Sequence, residues 1–284
     1  MSDIAVTRTV ARAELDANAV LTQAWRLYKR LFTRSILMGG VIFGLLHLLE
    51  AFARSGRSSS ALGLLTVVLA VTGIALLQGG LVEIVRGLHV DGNDDASAME
   101  ALGRAGGKVV KLVRVSFLSG LGIGLGFMLF LVPGFVLMTR WAVAVPVAML
   151  EGGNARDALR RSRAIVDGNG WNVFKVLFAV GALSVAVAIP LSIATSGHGL
   201  LGWWVSSTLA AMLTAPYSAH ALTVVYYAVR EPDRPVILDA GQRWQSVWNK
   251  QDAPEDAPEG PPPTRSILDE YEQRFDERNK QWDR

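Results

Sequence analysis

Residues 61–80, ALGLLTVVLAVTGIALLQGG, run for twenty positions without a charged side chain. About 20 such residues in a helix cross the hydrocarbon of a bilayer. The run extends to about residue 87 and has five companions, at about 35–54 (SILMGGVIFGLLHLLEAFAR), 112–132, 134–150, 173–195 and 202–229. Six such segments rarely occur together in a water-soluble fold, whereas lipid demands that every backbone group be satisfied within helices. The composition agrees, with 51% hydrophobic residues, 19% charged and a mean hydropathy of +0.31, against about 25% charge in soluble domains. The expected fold is all-α: a polytopic membrane bundle of about six transmembrane helices. The third and fourth spans are divided only by Val132, Pro133 and Gly134, so 115–150 also fits a re-entrant hairpin.

Lysine and arginine in short loops set orientation. Arg8, Arg12, Arg26, Lys29, Arg30 and Arg34 precede the first span. Arg86, Arg104, Lys108, Lys111 and Arg114 lie between the second and third, and Arg156, Arg160, Arg161, Arg163 and Lys175 between the fourth and fifth. The opposite side has only Arg54 and Arg57. Both termini are therefore expected in the cytoplasm. The charges scattered through the first thirty residues do not form the basic-then-apolar pattern of a signal peptide.

Each basic segment has the period of an amphipathic helix feeding a pair of spans. In the first, Val20, Leu21, Ala24, Trp25, Tyr28, Leu31 and Phe32 oppose Arg26, Lys29 and Arg30. The second opens on the capping-box pattern Ser97 to Glu100 and aligns Ala98, Ala101, Leu102, Ala105 and Val109. The third opens at Asn154 and sets Ala155, Ala158, Leu159, Ile165 and Val166 opposite Arg156, Arg160, Arg161 and Arg163. It stops at Asp167-Gly-Asn-Gly170. Aligning Ala24, Ala101 and Ala158 superposes the three, a threefold internal repeat. These helices are expected at the inner leaflet, apolar faces in the acyl boundary and arginines among anionic phosphates. The same charges would also suit plain cytoplasmic ends of spans.

Residues 131–152, LVPGFVLMTRWAVAVPVAMLEG, are followed by NARDALRRSR at 154–163 and GWNVF at 170–174. This combination resembles the membrane domain that precedes some bacterial glycerophosphoryl diester phosphodiesterases, and a wider set of bacterial six-helix membrane proteins. The likeness is good over about 130–176 and loose over the rest of 20–235. It implies a bacterial plasma membrane location. It transfers no activity, because no phosphodiesterase domain follows. Ala228, in Tyr226-Tyr227-Ala228-Val229-Arg230, also stands where that family often has aspartate.

Few residues could carry chemistry. Arg140 interrupts the fourth span, where an arginine costs at least about 2.5 kcal/mol and calls for a partner. It lies ~9 Å in from the Pro-Gly turn, and Glu50 lies at comparable depth in the first span, so the two are expected to pair or share a polar cavity. His220, among Thr214, Ser218 and Thr223, is a candidate proton relay or a histidine bonded to a neighbouring helix. Glu83 and Glu151 fall near the inner boundary, with Arg86 and the third amphipathic helix nearby, and Glu151 is expected to pair with an arginine or to help cap the helix beginning near Asn154. The run SGLGIGLG at 119–126 lies inside an apolar span and suits close helix packing. Pro146, Pro190 and Pro216 are expected to break three of the last spans.

No cysteine is present, and His47, His89, His198 and His220 lie at no ligand spacing, so no metal or cofactor is expected. No nucleic-acid partner is expected, and no hydrolase motif occurs. The domain expectation is a cytoplasmic segment with an amphipathic helix at 1–34 and a membrane domain at 35–235. A cytoplasmic stretch with a Pro/acidic linker follows at 236–264, then a charged amphipathic helix at 265–284. In that helix Ile267, Leu268, Tyr271, Phe275 and Trp282 could dock on a cytoplasmic protein, while Trp244 and Trp248 could rest on the membrane. The leading expectation is a non-enzymatic membrane protein that organises lipids or recruits that partner. A transporter using Arg140, Glu50 and His220 comes second, and an intramembrane lipid-modifying enzyme third.

Overall fold

The computed structural model describes residues 15–54, 60–91 and 97–230. The expectations for 236–264 and 265–284, for Trp244 and Trp248, and for Arg8, Arg12 and Arg57 lie outside them. All regular structure among the described residues is helical. The helices are α1 Ala17–Arg30, α2 Phe32–Arg54, α3 Ser60–Arg86, α4 Ala98–Gly106 and α5 Val109–Leu129. They continue as α6 Leu131–Arg140, α7 Ala144–Leu150, α8 Ala155–Val166, α9 Gly170–Thr195 and α10 Gly199–Arg230. A π turn, Gly87–Asp91, extends α3. Among the described residues five stretches are long and apolar enough to cross a membrane, and the last, Gly170–Arg230, contains both α9 and α10.

The amphipathic helices begin where their caps dictate. Asp16 accepts from the Asn18 N–H at 2.9 Å, and Ser97 from the Glu100 N–H at 3.1 Å. The Asp157 carboxylate reaches back to the Asn154 N–H at 3.2 Å. Each helix is parted from an apolar one by one to three residues: Leu31, then Gly107 and Lys108, then Asp167 to Asn169. Ala24, Ala101 and Ala158 are all buried. Their apolar faces are covered largely by protein, with Trp25 and Phe32 on that face of α1 left exposed. α1 packs on α10, α9 and α2, α4 on α3 and α2, and α8 on α7, α5, α6 and α10. Helical period identifies an apolar face and leaves its cover open. Here alanines at the contact points let protein provide it.

The fourth span is interrupted, as expected from Pro146. It is broken into α6 and α7 by a turn at 141–143, where the Ala142 N–H reaches the Thr139 carbonyl at 3.3 Å. Pro146 has no N–H for the Ala142 carbonyl, so the helix restarts at Ala144 with the proline in its first turn. The turn before α6 likewise falls at Phe130 and not at Pro133-Gly134, because Pro133 also fits a first turn. Pro190 and Pro216 lie within continuous α9 and α10 and break neither.

α10 is the central element, packed against α9, α2, α1 and α3. Its last two turns are surrounded by protein and bury Thr223, Val224, Val225, Tyr226 and Tyr227. Its first half buries only small residues, Gly202, Ser206, Ala210 and Thr214. The dense core thus sits at the basic end. Leu45, Leu64, Phe178 and Ile193 on the apolar helices are exposed, as lipid-facing side chains are.

Candidate functional site

The structure does not bring Arg140 and Glu50 together. Glu50 Oε1 takes Arg54 Nη2 at 2.8 Å, and the Arg54 guanidinium lies 4.4 Å over the Trp203 ring. Arg140 ends α6 with its side chain exposed, and its carbonyl accepts Ser162 Oγ of α8 at 2.9 Å. α6 is only ten residues long, so Arg140 falls beside a basic helix instead of at Glu50's depth. α2 packs with α1, α3, α4 and α10, and α6 with α5, α8 and α9. His220, on α10, sides with the first group but lies toward the opposite end of α2 from Glu50. It is fully buried, with Nε2 3.1 Å from Ser35 Oγ at the start of α2, and its Nδ1 has no hydrogen-bond partner.

What the fold does assemble is a charged layer at the basic end. Arg26, Lys29 and Arg30 on α1, and Arg156, Arg160, Arg161 and Arg163 on α8, all lie on exposed faces. Tyr28, on the buried side of α1, packs edge-on to Tyr217 and Phe32. Desolvation raises its phenol above the ordinary value, so it stays neutral. The Leu15 N–H donates to Asn169 Oδ1 at 2.9 Å, tying the start of α1 to the α8–α9 turn.

Two carboxylates organise this layer. Glu83, 5% exposed, takes Arg86 at 2.7 Å and Arg104 of α4 at 3.1 Å. Glu151 takes Arg161 of α8 at 2.9 Å and Arg230 of α10 at 2.9 Å. The Tyr226 hydroxyl donates to the same Glu151 carboxylate at 2.9 Å, and Arg230 also donates to that hydroxyl. The sequence signal of an acid beside a basic helix points to Arg86 for Glu83 and to an α8 arginine for Glu151, but not to Arg104, Arg230 or Tyr226. It gave no sign of two ammonium contacts: Lys108 Nζ donates to the Met149 carbonyl at 2.8 Å, and Lys111 Nζ to those of Ala148 and Gly152 at 2.6 Å each. Both cations sit at the C-terminal end of α7, where its dipole is negative.

The glycine run of α5 serves packing on one face only. A Cβ at Gly122 would strike the Trp141 ring, and one at Gly126 would come 3.0 Å from Gly134 Cα. Gly120 and Gly124 face open space. Among the described residues no group of three or more His, Asp or Glu could hold a metal.

No family model matches the chain, and no solved structure matches it. A UPF0259 membrane protein of Sodalis glossinidius is 29% identical over 99 residues, covering 35% of this chain and 39% of that protein. The chain thus spans well under half of the relative's length. With that similarity and the apolar helices, it is a multi-pass integral membrane protein.

Proposed function

We propose that this protein works at the cytoplasmic face of a bacterial plasma membrane without catalysing a reaction. It gathers anionic lipids around α1 and α8 and recruits a cytoplasmic protein through 265–284, with both termini inside. The observation that carries the reading is the exposed cationic face of those two helices, α8 held by the Glu151–Arg161 pair and the start of α1 by the Leu15–Asn169 hydrogen bond. Cations near an anionic surface contribute about 1 kcal/mol each. The resemblance of 131–174 to a phosphodiesterase membrane domain suits glycerophospholipid surroundings. Transport would need Arg140, Glu50 and His220 to converge, and they stand on separate elements, Arg140 beside α8 and Glu50 toward the other end of α2.

The test compares the full chain with a form ending at Pro235, both purified in mild detergent, by mass spectrometry of what each retains. The expected result is anionic lipid on both forms and one cytoplasmic protein on the full chain alone. Lipid bound in the bulk membrane ratio would sink the first half of the reading. A protein set unchanged by truncation would sink the second.

A further inference from the structure

A cleft of about 360 Å³ opens between α5 and the start of α8, lined by Arg114, Phe117, Leu118, Asn154, Ala155 and Arg156. Arg114 is the last charge on α5, one turn beyond Lys111, and nothing ionisable follows it in that helix. It therefore marks the polar boundary of the hairpin. Arg156 faces it from the first turn of α8. Among the described residues neither arginine has a carboxylate partner, whereas Arg54, Arg104 and Arg161 all do. The nearby Asp157 carboxylate is engaged with the Asn154 N–H.

From the cleft, Phe117, Leu118, Leu121 and Leu125 continue along α5 as an exposed apolar track. Two guanidiniums above such a track present planar, forked donors to phosphate oxygens and a greasy wall to an acyl chain. Two positive charges also disfavour a headgroup carrying its own ammonium. We infer that this cleft binds the phosphate of one anionic phospholipid. The inference rests on the lipid-gathering reading and gives it a site.

The test is native mass spectrometry of the full chain titrated with phosphatidylglycerol, phosphatidylethanolamine and glycerol 3-phosphate. Wild type is expected to saturate with one phosphatidylglycerol. Arg114→Ala/Arg156→Ala is expected to bind it about 25-fold more weakly, at about fivefold for each charge. Arg54→Ala/Lys175→Ala, which removes two charges elsewhere, should stay within about twofold of wild type. Equal loss in both double variants, or none in the first, overturns the site and leaves the broader reading standing. Displacement by glycerol 3-phosphate at matching concentration would identify a soluble ligand and overturn the lipid assignment. Equal binding of both phospholipids by wild type defeats the lipid-gathering reading itself.

A separate observation concerns the α5–α6 hairpin. Phe127 meets Phe135 edge-on at 5.0 Å, and Phe135 meets Phe174 of α9 at 5.7 Å. Phe174 is the fifth residue of α9 and stacks on Trp171, over which Lys175 lies, an interfacial pair. The 26 residues of α9 rise ~39 Å, so Phe174 lies ~6 Å from their start. The hairpin apex at Phe130 is at most ~8 Å further on. Met128, Leu129, Phe130, Leu131 and Val132 at the apex are each at least 68% exposed, and none is polar. The Phe130 N–H is satisfied by Gly126 at 3.0 Å, and the Phe130 carbonyl accepts from Gly134 at 3.4 Å. Five consecutive exposed apolar side chains suit hydrocarbon, not water.

We propose that α5 and α6 form a re-entrant hairpin whose apex stops within the bilayer. The absence of cysteine makes the test clean. Val132→Cys, Gly197→Cys in the α9–α10 turn and Arg160→Cys are exposed to an impermeant maleimide on vesicles of each orientation. Gly197→Cys and Arg160→Cys should label from opposite sides, and Val132→Cys from neither. Labelling of Val132→Cys from the Gly197 side at a comparable rate would show a full crossing.

Discussion

Gly79→Leu is expected to abolish monodisperse, folded protein in mild detergent, whereas Gly63→Leu on the same helix leaves it intact. A Cβ at Gly79 would lie 2.6 Å from Leu112 Cδ1, 3.3 Å from Ala105 Cβ and 3.8 Å from Met149 Sδ. Those contacts belong to α5, α4 and α7, so three helices converge on one missing side chain of α3. Leu112 and Ala105 are themselves fully buried and cannot all retreat. Overpacking in a filled core costs about 3 kcal/mol at its upper range, a large part of the stability of most domains. At Gly63 nothing lies within 4 Å of the same atom, and a leucine there meets only surroundings that welcome it. Size-exclusion profiles of the two variants, followed through a temperature ramp, make the comparison. Equal profiles would show that the basic-end helices do not pack on α3 as described.

Glu151→Ala should lower the unfolding midpoint by a stability loss of about 2 kcal/mol. Removing one partner of a buried pair costs about 3–5 kcal/mol. That figure is discounted here because Arg161 and Arg230 are 52% and 44% exposed and partly screened. The Tyr226 hydroxyl loses its acceptor in the same stroke. Glu151→Gln keeps an acceptor for Tyr226 but no charge, so it should recover part of the loss. The gap between wild type and Glu151→Ala should narrow in high salt, as screening weakens the exposed half of the network. A denaturation series at two salt concentrations checks both points. A variant as stable as wild type would mean that α8 and α10 are held by packing alone.

Much of this architecture was legible from local pattern. Long apolar runs located α2, α3, α9 and α10 within a few residues, and Ser97 and Asn154 marked the starts of α4 and α8. Helix starts are local events, decided by side chains three residues apart. The prolines were misread locally, since Pro133 fits a first turn and Pro190 and Pro216 sit in continuous helices, while the other misreadings involve partners remote in sequence. Arg140 looked deep because a full fourth span was assumed, and only the turn at 141–143 and the Ser162 contact place it beside α8. Ala24 and Ala101 looked lipid-facing because their period reveals an apolar stripe without naming its cover. The cleft at Arg114 and Arg156 depends on α5 and α8 lying side by side, which no spacing announces.

The central place of α10 has a consequence for how the protein comes into being. Glu151 and Arg230 are 79 positions apart. At about 5–20 residues per second, a ribosome needs about 4–16 s to travel between them. Through that interval Arg161 can reach Glu151, while the seats for Tyr226 and Arg230 stand vacant and the faces of α1 and α8 lack their common cover. The chain must therefore wait, tethered to its exit site, until its last described helix arrives to close the assembly. Premature release within that window would leave a half-built layer to aggregate, so α10 acts as the clasp that closes the fold.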